Sequence, residues 1–497
     1  MGIRDRLSLL LRDVPAAAEA IEHDGAWWTW GEVQATARAV SGHLDAAGLG
    51  VGARVGVVLE NRPAHVSVAA AVLASRRCLV TLSPLQPAER LAADIERTGV
   101  PVVVADAEVL AREGVAGAAN ARGLVLQLGR DGQVRTAGGK ISPDSVVTSP
   151  GIAVEMLTSG TTGPPKRVHL STAQLDQGLV AGGQVPKADQ LLSRSASIVH
   201  SPLVHISGLW GALACLYTGR RMILMPKFAL ESWVGAVERH RLRVASLMPA
   251  ALRTVLEADV PGERLASLQV VTSGTAPCPA ELADAFFGKY GIRVLTTYGA
   301  TEFAGAVAGW TLPLHERWWH AKAGSAGRAF PGAELRVTGA DGEEVPPGTS
   351  GRLEVRTGQA AEGSGTWTRT SDLARIDTDG FVWIEGRADD VIIRGGFKVA
   401  PETVKRALET HPAVREAAVA GLPDERLGAV PVAAVEVEPG QQAPSVAELI
   451  ALCREHLTPY EVPVHIVALD ELPRTPSNKV SRVELIDVVR AGFAEKA

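Results

Sequence analysis

The chain has 497 residues, 46% of them hydrophobic, and a formal net charge of -5. It is too apolar to be disordered, too long for one ordinary core and too nearly neutral for an electrostatic grip on nucleic acid, so two or more globular units and small-molecule partners are expected.

The N-terminal apolar run Leu7–Leu11 stops at Arg12 and Asp13, which is too short and too charged for a signal peptide or anchor. No stretch approaches the roughly 18 apolar residues of a spanning helix, and a cytoplasmic protein without a membrane span is expected. Cys78, Cys215, Cys278 and Cys453 form no CxxC pair; they read as buried apolar residues of a reducing compartment. From residue 53, short β-branched runs alternate with longer helical patterns: ARVGVVLE, PAHVSVAAAVLASRR, LVTLSP, PAERLAADIERTG, VPVVVAD. This order predicts parallel strands covered by helices. The rhythm returns in VASLMP, LQVVTSG and RVLTTYG.

From about residue 330, ELRVTG, GRLEVRT and FVWIEGR are joined by Gly/Pro/Asp turns with no helix between them, which predicts an antiparallel β-rich subregion closing a large domain. Gly358–Gly365 reads as a mobile surface loop. Beyond GRADD come an extended stretch, a helix from about Pro401, the strands VREAAVAGL and VPVAAVEVE, the helix VAELIALCREHL, the strand VHIVALD and a last helix, enough for a small domain of its own. The expected fold is α/β, with a large N-terminal domain of layered α/β subdomains plus the β-rich subregion (1–386) and a small C-terminal α/β domain (387–497).

Chemistry first surfaces after the apolar run Ile152–Leu157, in Thr158, Ser159, Gly160, Thr161, Thr162, Gly163, Pro164, Pro165 and Lys166. Glycines let backbone N–H groups approach an anion, hydroxyls add donors, and the lysine brings positive charge to a polyphosphate. Only two residues separate Gly163 from Lys166 and the GK[ST] ending is missing, so this is no Walker A loop. The segment resembles the phosphate-binding loop of the adenylate-forming superfamily: acyl-CoA synthetases, the adenylation domains of peptide synthetases, and luciferases.

Further family-like segments follow in order, over nearly the whole chain. The resemblance implies that Tyr298, in Tyr298-Gly299-Ala300-Thr301-Glu302, stacks on adenine, that Thr301 contacts phosphate and that Glu302 holds Mg²⁺; an aromatic face suits a base and a hard carboxylate suits magnesium. It places Ser273, Gly274, Thr275, Ala276 and Pro277 beside adenine and the acyl pocket, Asp372 on the ribose hydroxyls, and Arg387 on ribose and phosphate. Asp389 takes the hinge position about which a mobile small domain turns between half-reactions. Lys479 matches the lysine that stabilises charge at the α-phosphate, the RGGFKVAP segment with Gly395 and Gly396 matches the pantetheine channel, and His205 matches a position at the acyl pocket. No aspartate near residues 201–210 matches the one that pairs with an α-amino group in amino-acid-activating relatives. The implied activity is an acyl-CoA ligase for a plain carboxylic acid, using ATP, Mg²⁺ and coenzyme A, with a carrier-protein thiol as the other acceptor.

Five positions depart from the family pattern: Arg167, Ser371 and Asn478 stand where glycines precede or follow the key groups, and Thr403 and Lys405 replace acidic residues. Rival readings stay open: a specialist that mainly thioesterifies a supplied acyl-adenylate, a non-catalytic acyl- or nucleotide-binding relative, and a luciferase-like oxygenase. In the first, Arg167 either crowds the β- and γ-phosphates or pins the loop.

Overall fold

The computed structural model describes residues 1–141, 146–157, 166–187, 189–360, 365–395, 397–424, 426–475 and 479–494. They divide into two compact units, one holding the residues up to Glu334 with Arg356–Thr368, the other Leu335–Val355 and the residues from Arg369 on.

The first unit is built on a seven-stranded sheet in the order Val134–Gly138, Leu124–Leu128, Val102–Asp106, Arg54–Val58, Cys78–Leu82, Ile152–Leu157, Arg167–Ser171. The five central strands run parallel and the two edge strands antiparallel. The central strands are continuous apolar runs because both faces are covered. Val55, Val57, Leu79, Val102 and Val104 pack toward the helix Pro63–Ala74, while Cys78, Val80, Val103 and Ala105 pack toward the helix Ala88–Thr98. That second helix buries Leu91, Asp94, Ile95 and Thr98, a stripe at three- and four-residue spacing, and ends at left-handed Gly99, the residue that tolerates this conformation without strain.

A second sheet runs Ala196–Val199, Arg221–Leu224, Glu19–His23, Ala26–Thr29, with its first three strands parallel. A third runs Val244–Ser246, Val270–Ser273, Arg293–Ala300, Gly305–Gly309, Arg328–Ala329, parallel at first and then folding back antiparallel. The predicted strands of VASLMP, LQVVTSG and RVLTTYG are thus neighbours.

The second unit holds most of a four-stranded sheet, Ala333–Thr338, Gly351–Thr357, Thr368–Ile376 and Val382–Arg387. Its other sheet centres on the long hairpin Val414–Asp424 and Gly428–Val437, extended by Ile392–Arg394, Phe397–Val399 and the parallel strand His465–Leu469. Val404, Leu408, Leu449 and Cys453 cover one face, and Leu472, Leu485 and Val489 the other.

Two expectations need correction. The segment beginning at Gly358 is no simple surface loop: Gln359 and Ala360 are buried, and the Gln359 carbonyl accepts a hydrogen bond from Gln174 Nε2 at 2.8 Å; residues 361–364 lie outside the described residues. Cys278 is partly exposed, unlike the three buried cysteines. Burial still pushes its thiol up to about 12, as it does those of Cys78 and Cys215. Among the described residues no helix is long and apolar enough to cross a membrane.

One feature of the first sheet is electrostatic. Arg54 donates to both oxygens of Glu155 at 2.9 and 2.5 Å, Ser149 Oγ donates to Glu155 Oε1 at 3.0 Å, and the Glu155 side chain is only 2% exposed. Burial alone would raise the Glu155 carboxyl, but the Arg54 hydrogen bonds and charge hold it below its ordinary value. Breaking such a pair strands a buried charge. Arg54→Ala is therefore expected to destabilise the fold by about 3–5 kcal/mol, read as a lower urea midpoint of the first unit; an unchanged midpoint would contradict this.

Candidate active site

The predicted phosphate loop connects two strands of one antiparallel hairpin. Ile152–Leu157 pairs with Arg167–Ser171 so that Glu155 faces His169 and Leu157 faces Arg167. Thr158, Ser159, Gly160, Thr161, Thr162 and Gly163 lie outside the described residues; Lys166, at the far end, is described and exposed. Its neighbour Arg167 turns into the protein. The Arg167 guanidinium donates from Nη2 to Asp94 at 2.7 Å and from Nη1 to the Thr81 carbonyl at 3.1 Å. Its side chain is 15% exposed and that of Asp94 0%. Burial pulls the guanidinium below its ordinary value, and the Asp94 charge and hydrogen bond oppose that pull. Of the two roles weighed for Arg167, crowding the phosphates does not fit a side chain so engaged.

Ser273–Pro277 leaves the carboxyl end of the parallel strand Val270–Ser273, and Tyr298–Glu302 ends the neighbouring strand Arg293–Ala300, with Ser273 opposite Thr296. Crevices at the carboxyl ends of parallel strands are where open α/β sheets bind ligands. The backbone is specialised there. Thr275 takes φ +69°, which a β-branched residue adopts only under constraint. The ladder slips between Tyr298 and Gly299, and a Cβ on Gly299 would sit 2.1 Å from the Gly305 carbonyl oxygen, so no side chain fits. Thr301 and Glu302 form a 3₁₀ turn directly after, with Glu302 exposed.

The phosphate-loop hairpin and this turn come together: strand Arg167–Ser171 packs against Thr301–Phe303, and the following helix Thr172–Ala181 packs on Gly305–Gly309. His205 is the N-cap of the helix Ile206–Thr218. One turn on, Trp210 closes over Gly305, where an added Cβ would lie 3.2 Å from its ring. Lys166, Thr301, Glu302 and the His205 helix thus belong to one neighbourhood of the first unit.

Sequence reasoning missed Asn61. It is buried, donates to the carbonyls of Ser201 and Met225 at 3.0 Å each, and accepts from the Leu203 amide at 2.8 Å, fixing the turn that leads to His205. With Leu59, Arg62, Pro84, Pro202 and Val204 it lines a cleft of about 400 Å³ at the strand ends of two sheets. A polar residue after an apolar strand is the one signal that could have found it, and it is weak.

In the second unit, Asp372 and Arg387 face each other as partners on adjacent antiparallel strands, so two predicted ribose contacts fifteen residues apart in sequence are neighbours in space. Arg387 also lies 3.5 Å from Asp389, which sits in the 3₁₀ turn Ala388–Asp390; the next residue, Asp390, pairs with Arg482. Gly395 takes φ +56° in the turn between Ile392–Arg394 and Phe397–Val399 and donates to the Leu427 carbonyl at 2.7 Å; Gly396 is outside the described residues. The Lys479 amide donates to Thr475 Oγ1 at 3.2 Å, and its carbonyl accepts from the Thr475 amide at 2.6 Å. That turn is anchored by Arg474, which bridges Val480 through the backbone and pairs with Glu416 at 2.7 Å and Glu436 at 3.1 Å. Asn478 is outside the described residues, and Ser371 lies within the strand Thr368–Ile376.

The AMP-binding enzyme profile matches residues 12–364, and that of the AMP-binding enzyme C-terminal domain matches residues 404–479. The chain belongs to the AMP-binding enzyme family. It is 33% identical over 361 residues to the indoleacetate–CoA ligase of Aromatoleum aromaticum, covering 68% of each chain. To the 2-succinylbenzoate–CoA ligase of Geobacillus kaustophilus it is 30% identical over 473 residues, covering 92% of each. Its fold matches the crystal structure of ATP-bound MatB from Rhodopseudomonas palustris with a TM-score of 0.82 at 26% identity, over 98% of this chain and 100% of that one. This AMP-binding enzyme is an AMP-forming, ATP-dependent acid–thiol ligase that takes a carboxylic acid without an α-amino group, ATP and CoA.

Gly299 tests the local geometry. Gly299→Ala is expected to cost about 1–3 kcal/mol of stability through overpacking. Gly288→Ala, in open space on the helix Ala280–Tyr290, should be neutral or stabilising. Equal denaturant midpoints for the two variants would contradict the close approach.

Proposed function

We propose that the enzyme runs two half-reactions with the residues assigned above: a carboxylate oxygen attacks the α-phosphorus of ATP as the bond to pyrophosphate breaks, and the CoA thiolate then attacks the acyl carbonyl and expels AMP. The observation that carries this reading is the Asp372–Arg387 rung, which sets an acceptor for the two vicinal ribose hydroxyls beside a cation for the ribose and its 5′-phosphate.

In the first step the amides of residues 158–163 and Lys166 hold the β- and γ-phosphates. Tyr298 packs on adenine, Gly274 and Gly299 belong to the two segments that border the nucleotide, and Thr301 donates to phosphate. Glu302 is an exposed hard oxygen ligand, and Mg²⁺ needs only one or two carboxylates besides phosphate and water, so the residues present fit that ion. Bound there, Mg²⁺ would neutralise phosphate charge. Lys479 stabilises charge developing at the α-phosphate. Residues 387–497 act as a small domain turning about Asp389, which takes Lys479 away and brings the segment around Gly395 and Gly396 to the acyl carbonyl. CoA, rather than a carrier protein, is the acceptor, and the reaction takes place in the cytoplasm. We infer an acid bearing an aromatic ring, as named for the two ligase relatives, with His205 and the Asn61-braced turn bordering its pocket.

A panel containing indole-3-acetate, 2-succinylbenzoate, ferulate and short aliphatic acids tests this reading. An aromatic acid should release pyrophosphate from MgATP and give its CoA thioester by mass spectrometry. Thioester from supplied acyl-adenylates, with no pyrophosphate from any acid, would favour the half-reaction specialist instead.

Lys479→Ala should slow adenylate formation about 100-fold or more while leaving thioester formation from supplied acyl-adenylate intact. Unchanged pyrophosphate release would remove Lys479 from the site. Asp389→Pro should do the reverse, sparing pyrophosphate release and blocking thioester formation, because proline fixes one backbone angle at the turn; equal loss of both half-reactions would argue against a hinge there.

A further inference from the structure

Arg167 occupies a position where the sequence pattern leads one to expect glycine, and its side chain is spent inside the protein. It follows Lys166 directly and forms the last rung of the hairpin, opposite Leu157. From that edge strand its guanidinium crosses the neighbouring strand to reach the Thr81 carbonyl on the strand beyond, and Asp94 on the helix Ala88–Thr98. Asp94 is on the buried stripe of that helix with no exposure, and its other cation, Arg97 at 2.9 Å, is 61% exposed. The Arg54–Glu155 pair holds the same hairpin two residues earlier.

We propose that the buried Arg167–Asp94 pair is a positioning device for the polyphosphate of ATP: it ties the backbone beside Lys166 to a rigid helix, so that the lysine end of the hairpin is set before the nucleotide arrives. This rests on the reading that Lys166 serves the β- and γ-phosphates. A glycine after the lysine would leave that backbone free to sample conformations that must be lost on binding. The arginine anchor removes that freedom in advance, which raises affinity for the ligand that uses the lysine. Arg167 acts through Lys166 and the strand, not by touching phosphate, because its Nη1 and Nη2 donors are already directed at Thr81 and Asp94. The device distinguishes nucleotides: ATP profits from it, whereas AMP, without the two outer phosphates, does not.

Calorimetric titration with MgATP and with AMP, without acid or CoA, reads this directly. Arg167→Gly should weaken MgATP binding at least about tenfold and AMP binding by less than about twofold, with Arg167→Lys, which keeps the ion pair but loses the second hydrogen bond, in between. Arg167→Gly alone also leaves buried Asp94 with only the largely exposed Arg97, so the variant Arg167→Gly/Asp94→Asn separates positioning from stability. It removes the under-compensated buried charge and should recover the thermal midpoint, yet retain the MgATP defect. If its MgATP affinity recovers together with the midpoint, or if Arg167→Gly weakens ATP and AMP alike, the pair is only structural and the proposal fails. If the native enzyme binds AMP and MgATP equally tightly, and Lys166→Ala changes neither, the assignment of Lys166 to the outer phosphates fails and the clamp falls with it. Should Lys166→Ala weaken MgATP while Arg167→Gly does not, the clamp alone is overturned.

Discussion

Two carboxylates, Asp94 and Glu155, lie inside the layers of the seven-stranded sheet, and each meets an arginine at hydrogen-bonding distance. An isolated charge at such depth would cost several kcal/mol, so the strands bearing Arg54, Glu155 and Arg167 cannot slide without exposing one. A one-residue slip of the hairpin would also turn Arg167 away from Asp94 and Glu155 away from Arg54. The register of the hairpin that carries the proposed phosphate loop is therefore fixed by electrostatics as well as by apolar packing. The rest of the proposed nucleotide site in the first unit follows, because the strand Arg167–Ser171 packs directly on the turn bearing Thr301 and Glu302.

The second unit repeats the device around Lys479. Glu436 is buried in the long hairpin, accepts from Arg415 and Arg474, and takes the Leu472 amide at 3.0 Å. Arg474 thereby anchors the chain immediately before Thr475, whose amide bonds to the Lys479 carbonyl. Although burial opposes its charge, the two carboxylates hold the Arg474 guanidinium above its ordinary value. In both units a lysine proposed for the site lies within five residues of an arginine committed to a buried carboxylate, Asp94 for Arg167 and Glu436 for Arg474. Catalysis by positioning needs such support, since a small displacement at the reacting groups costs much of the rate.

The parallel sheets were legible because strands buried on both faces read as unbroken apolar runs between helical patterns, as in Cys78–Leu82 and Val102–Asp106. The residues proposed for the site stand out in the sequence only as motifs: no periodicity singles out Lys479 or Asp372, and the Asp372–Arg387 rung depends on strand register, which a single sequence does not print. The pairs Arg54–Glu155 and Arg167–Asp94 could not be read, because their members are 101 and 73 residues apart and each looks alone like a surface charge. Asp94 in particular sits in a Glu/Arg-rich helix, and only its place on the Leu91–Ile95–Thr98 stripe betrays its burial. The Gly358 segment misled for the opposite reason: its composition is that of a loop tip, yet Gln359 satisfies its carbonyl with Gln174 and packs inside.

The central claim is that acid activation and thioester formation are separate steps through an acyl-adenylate. It is tested most directly by exchange of radiolabelled pyrophosphate into ATP in the presence of MgATP and an acid that the enzyme converts to a thioester, with CoA left out. The account predicts acid-dependent exchange without CoA, lost in Lys479→Ala. Thioester formation with CoA present, but no exchange in its absence, would contradict it.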